Sequence, residues 1–197
     1  MREQITCLIA LVFLWMVPAQ NRVIAASQRG NPTQSKEAQA GETGTVPRIT
    51  EEIRHRLVMM PYYGVFDWLE GTVLPDGTVT LQGQVTRDTT KSDAEYRAKK
   101  VEGVSKVNNE IEVLPLLPSD DAIRIAMYRA IFKYEGSLFR YATLAVPPIH
   151  IIVKNGRVWL KGYVANEMDK QVAYTYARGV SGVFEVNNEL KVDKDNY

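Results

Sequence analysis

Residues 103–113 read Gly-Val-Ser-Lys-Val-Asn-Asn-Glu-Ile-Glu-Val, and residues 182–192 read Gly-Val-Phe-Glu-Val-Asn-Asn-Glu-Leu-Lys-Val. A gapless shift of 79 superposes them, and carrying the comparison back to Gly77 and Gly156 gives 37 paired positions, of which 16 are identical. Repeats decide architecture before any local reading does. The shared residues are mostly glycines and small or β-branched apolar side chains, which set backbone shape and packing and carry no reactive group. The repeat therefore predicts duplication of a small fold, with function to be sought around it.

At 197 residues, 45% apolar and 24% charged, the chain has room for two small domains. Its net charge is +1, and removal of residues 1–26 takes away Arg2, Arg22 and Glu3 to leave 22 basic against 22 acidic residues. A neutral protein lacks the field on which non-specific nucleic-acid binding relies. Cys7 is the only cysteine, so no intramolecular disulfide forms, and His55 and His150 are the only histidines. That inventory is poor for metal binding and for nucleophilic catalysis.

The start, Arg2 followed by the apolar run Ile5 to Val17 and then Ile24-Ala25-Ala26-Ser27, has the layout of a secretory signal over residues 1–26. The run is short for a membrane span; an uncleaved anchor is the competing reading. Residues 27–49 hold almost no large apolar side chain and read as a flexible leader.

The first ordered element is expected to open at Thr50, with Glu51 and Glu52 in its first turn and Ile53 and Leu57 on its apolar side. A strand over Val65 to Val73, the Pro75-Asp76-Gly77 turn and the alternating Val79 to Val85 form a hairpin. Thr90 to Glu102, with Ala94 and Ala98, is a helix; Val107, Asn109, Ile111 and Val113 alternate as a third strand. Leu114 to Pro118 is a short, proline-stiffened join, so the modules are expected to touch. A helix opening at Ser119, a hairpin over Ile149 to Leu160 turning at Asn155-Gly156, a helix from about Asn166 to Arg178 and a last strand repeat the order. Nine extra residues fall around Tyr134 to Pro148. The prediction is an α+β protein with modules at 50–114 and 119–193, each helix-strand-strand-helix-strand, its three-stranded sheet covered by two helices.

The pattern Gly-x-Val-x-Leu-x-Gly-x-Val, an Ala-x-x-x-Ala helix and Gly-Val-x-x-Val-x-Asn-x-x-x-Val, present at Gly77 to Val113 and Gly156 to Val192, resembles the BON domain. The resemblance implies a secreted or periplasmic envelope protein, linked to osmotic stress or envelope integrity, that contacts phospholipid membranes and has no enzymatic activity. The aromatic insertion of the second copy departs from the family pattern.

That insertion holds the nearest thing to a binding surface. Lys133, Phe139, Arg140 and Tyr141 are the candidates for contact with anionic lipid, rings at the headgroup boundary and cations on phosphate. The plainer alternative is that the aromatics of Phe132 to Tyr141 close the second core or the seam between modules. The cluster Met59, Met60, Tyr62, Tyr63, Phe66 and Trp68 also needs cover, from the other module or from a partner. Gly77, Gly83, Gly103, Asn108, Gly156, Gly162, Gly182 and Asn187 read as structural. His55 is expected in solvent and His150 on the outer face of its strand. No catalytic residues, metal ligands, cofactor or small-molecule substrate are implied. The expected function is a non-enzymatic, periplasmic or secreted envelope protein that binds anionic phospholipid or supports the envelope under stress. The alternative is a protein-binding module that uses the same insertion without lipid.

Overall fold

Ile49, Ile53 and Leu57, one helical turn apart, are all buried, and they anchor the first helix to the sheet beneath it. In the computed structural model, which describes residues 33–144 and 146–193 and side chains from residue 45 on, this helix (α1) spans Thr33–Val58. It is thus already under way at Thr50, where the sequence predicts its start. The Thr50 hydroxyl donates to the Val46 carbonyl one turn back instead of capping. Ile49, 1% exposed, is the first core residue among the described side chains. The signal-like segment 1–26 and residues 27–32 lie outside the described residues.

β1 (Trp68–Val73) runs antiparallel to β2 (Thr78–Val85). α2 (Asp88–Lys99) then crosses over to β3 (Lys106–Asn109) and β4 (Glu112–Val113), both parallel to β2. Val79, Leu81 and Val85 face α1 and α2 and are fully buried, as their alternation predicts. Ala94 and Ala98 bring α2 close to that sheet. Two details depart from the sequence reading. The strand expected from Val65 begins at Trp68, because the buried Asp67 carboxylate accepts from the Gly64 and Thr86 amides and closes a turn. The single third strand is broken at Glu110-Ile111, where the Asn109 side chain accepts from the Ile111 amide.

The second module repeats this order as α3 (Pro118–Ile131), a short α4 (Phe139–Ala142), β5 (Ile149–Lys154), β6 (Arg157–Val164), α5 (Glu167–Arg178), β7 (Glu185–Asn188) and β8 (Lys191–Val192). Asn155 at φ 53° and Gly156 at φ 72° make the two-residue turn between β5 and β6. Asp120 reads in the sequence as a helix opener, yet its fully buried carboxylate accepts from the Asn155 and Gly156 amides at 2.8 and 2.9 Å. Pro118 occupies the first helical turn, where a missing N–H costs nothing.

The α+β class and the two tandem modules are as predicted. The modules meet through the sheet faces that carry no helix. Ile152 sits on that face, alternating with the core residues Ile151 and Val153, and is nonetheless 1% exposed, beside Leu114 and Gln84 of the first module. Covering such a side chain stabilises by about 2 kcal/mol. Lys154 pairs with Glu112 across the seam. The Ile151 amide donates to the Val65 carbonyl at 2.7 Å, so the segment between α1 and β1 bonds to the edge of the second module's sheet.

Candidate functional site

The insertion divides between core and surface. Phe132, Leu138 and Tyr141 are buried in the second core with Met127, Ile131 and Ile149. Tyr141, 1% exposed, accepts from the Ala165 amide at 2.8 Å and donates to Asp169 Oδ2 at 2.6 Å. Burial raises its pKa above the ordinary phenol value. It is a structural pillar with no surface left for a ligand, which leaves three of the four contact candidates.

Those three lie outward. Lys133 is exposed at the end of α3, and Tyr134, 79% exposed, meets the half-buried Phe139 edge-on at 5.0 Å between ring centres. Arg140 is exposed, but its guanidinium pairs with the buried Asp169 carboxylate and also donates to the Tyr141 hydroxyl at 3.0 Å. Those two partners, Tyr141 first, hold the Arg140 pKa above its ordinary value. Asp169 further accepts from Asn166 Nδ2 and tops α5, whose Asn166 cap accepts from the Asp169 amide. The surface is therefore an aromatic pair beside Lys133 and a cation whose charge is half-answered from below.

The other aromatic cluster is absorbed by the seam. Phe66 packs on the second core with its ring 6.3 Å from Tyr128, and His150, 4% exposed, lies between Tyr63 and Trp68 at 5.4 and 5.1 Å. His150 is thus on the outer face of its strand, as expected, with the first module laid over it. Its Nδ1 lies 3.2 Å from the Gly64 carbonyl, and desolvation lowers its pKa to about 4. Burial also pushes the Tyr63 phenol up. Met59 and Tyr62 stay exposed, Tyr62 beneath the Arg87 guanidinium. His55 is exposed on α1.

In the Asn-Asn-Glu triplets the second asparagine does the bonding, where the sequence reading singles out Asn108 and Asn187. Asn109 Nδ2 donates to the Lys91 carbonyl and to Glu95, and Asn188 Nδ2 donates to the Lys170 carbonyl at 2.9 Å. Each ties the last strand to its crossover helix. Gly83 and Gly162 are required by shape: at φ 128° and 108°, a Cβ would stand 2.0 Å from the Trp68 carbonyl and 1.9 Å from the Pro148 carbonyl. No group of three His, Cys, Asp or Glu able to hold a metal occurs among the described residues. Sequence reasoning missed the buried polar anchors Asp67, Asp120, Arg124 and Asp169, whose only signal is that they neighbour turns and helix starts. Among the described residues no helix is long and apolar enough to cross a membrane.

The family model for the BON domain matches residues 45–115 and 134–194. Over 116 residues the chain is 29% identical to the outer membrane lipoprotein DolP of Haemophilus influenzae, an alignment covering 59% of this chain and 58% of that protein. The chain thus matches little more than half of that relative's length. Among solved structures it matches the C-terminal domain of CdsD, a structural protein of the type III secretion system of Chlamydia trachomatis. The identity there is 14% and the TM-score 0.27, covering 73% of this chain and 96% of that one.

Proposed function

From the premise that this chain belongs to the BON-domain family and carries the domain twice, we propose that it is an exported, non-enzymatic envelope protein that docks on anionic phospholipid through the insertion of its second module. On this reading residues 1–26 are a signal, the leader after it runs into α1, whose Ile49 already belongs to the first core, and the two modules up to 114 and over 119–193 do the work. The similarity to an outer membrane lipoprotein supports the compartment. The observation that carries the surface is the ring pair of exposed Tyr134 and half-buried Phe139, flanked by Lys133 and Arg140. Aromatic rings settle at the headgroup boundary, and each cation near an anionic surface contributes about 1 kcal/mol.

Co-sedimentation with phosphatidylglycerol vesicles tests it. A Lys133→Ala, Phe139→Ala, Arg140→Ala variant should lose most of its pelleted fraction while keeping its fold; equal pelleting removes this surface from the account. A second reading, a protein partner on the same patch, draws on the Arg140–Asp169 pair, which leaves less charge for phosphate. Its mark is binding to an envelope protein that salt hardly weakens.

A further inference from the structure

The two modules satisfy the outer edge of their first strand differently. In β5 the Tyr163 amide bonds the Pro148 carbonyl, so the even-numbered residues pair with β6 and the odd-numbered ones turn their N–H and C=O groups to the edge. That edge is taken: the Ile151 amide donates to Val65, and the Val153 carbonyl accepts from Arg124 Nη2 at 2.7 Å. In β1 the Leu74 amide bonds Thr78, so Gly71 and Val73 likewise face outward, and register makes them the counterparts of Ile151 and Val153. Among the described residues neither the Gly71 amide nor the Val73 carbonyl meets a hydrogen-bond partner.

The counterpart of Arg124 is present too. Arg54 follows the core residue Ile53 as Arg124 follows Ile123, and each pairs with a carboxylate three residues back, Glu51 and Asp121. Arg124 is buried against the strand edge; the Arg54 side chain is 64% exposed. Between α1, β1 and the Val146–Pro148 segment lies a groove of about 540 Å³. Five consecutive residues, Trp68 to Thr72, line it, so it opens on the edge of the strand and not on one face. Its walls are mostly apolar, with Leu57, Val58 and Pro147 among them. Pro147 and Pro148 have no N–H to donate to this edge. At Gly71 a Cβ would meet Ile53 Cγ2 at 3.3 Å, so the missing side chain serves the packing of α1 on the strand.

We propose that the β1 edge is a docking site for an extended segment of a partner polypeptide with a bulky apolar residue at its centre. The segment adds as a further strand, its carbonyl accepting from Gly71 as Val65 does from Ile151, its apolar side chain in the groove as Phe66 lies on the second core. Main-chain bonds supply affinity, and the pocket supplies choice of residue. None of Lys133, Tyr134, Phe139 and Arg140 lines the groove, although the end of the insertion, Val146 to Pro148, forms one of its walls.

The test is selection of a phage-displayed library of random linear dodecapeptides on the full chain. Enriched peptides should carry a central large apolar residue and slow hydrogen exchange at the Gly71 and Val73 amides in the unaltered protein. Gly71→Pro, which removes an outward N–H and no sheet bond, should weaken them by about tenfold or more. The exchange measurement stands even if that variant folds poorly. Enrichment of no peptide, or of peptides that leave both amides unprotected, overturns the proposal. So does protection that appears with rising protein concentration or with vesicles alone, which would assign the edge to a second copy or to lipid.

Discussion

The Ile151 amide and the Val65 carbonyl, 86 residues apart in the chain, are joined by a 2.7 Å hydrogen bond across the two modules. That bond, with Phe66 on the second core, ties the first module to the second, and the two should unfold as one cooperative unit. Phe66→Ala should cost about 2 kcal/mol, below the range for a fully buried phenylalanine because the ring is half-buried. Calorimetry should then resolve two transitions where the parent gives one.

The same seam makes stability sensitive to acid. His150 binds its proton only near pH 4 in the folded chain but near 6.5 when unfolded, so the unfolded state takes up more protons on acidification. Stability should fall as pH drops from about 6.5 to 4, by up to roughly 3 kcal/mol from this residue. Tyr63, Trp68 and the Gly64 carbonyl surround the ring, with the buried Asp67 nearby. His150→Gln should flatten that part of the denaturant-midpoint profile, and an unchanged slope would remove His150 as its source.

Substituting asparagines one at a time separates the bonded from the unbonded. Asn109→Ala and Asn188→Ala each strip the bonds that tie a last strand to its helix and should cost about 1–2 kcal/mol. Asn108→Ala and Asn187→Ala, half-buried but carrying neither of these ties, should cost less, about a few tenths of a kcal/mol. Urea unfolding of the four variants reads the difference.

Tyr141→Phe keeps the ring in the core but removes the hydroxyl that serves Ala165, Arg140 and Asp169. A loss of about 1–3 kcal/mol is expected, with vesicle binding unaltered. Unaltered stability with lost binding would return Tyr141 to the surface.

Most of the fold was legible because it rests on period and turn chemistry. Val79, Leu81 and Val85 announce a one-sided strand, Asn155-Gly156 a tight hairpin, Ala173 and Ala177 a closely packed helix. Thr50 does not start the helix, because a threonine before two glutamates is also what a mid-helix hydroxyl bonded to Val46 looks like. Tyr141 could not be told from its neighbours Phe139 and Arg140, since α4 is one turn long and offers no period to read. Nor does the sequence disclose the seam. Ile152 and His150 sit on the face that alternation assigns to solvent, and only the placement of one sheet against the other buries them.

On the proposed function this chain works at an anionic membrane surface. The most direct measurement of this is the fraction of the full chain pelleting with phosphatidylglycerol vesicles against phosphatidylcholine vesicles, from low to high salt. Pelleting is expected with the anionic vesicles only, falling as salt rises; equal pelleting with both, or none with either, would contradict that function.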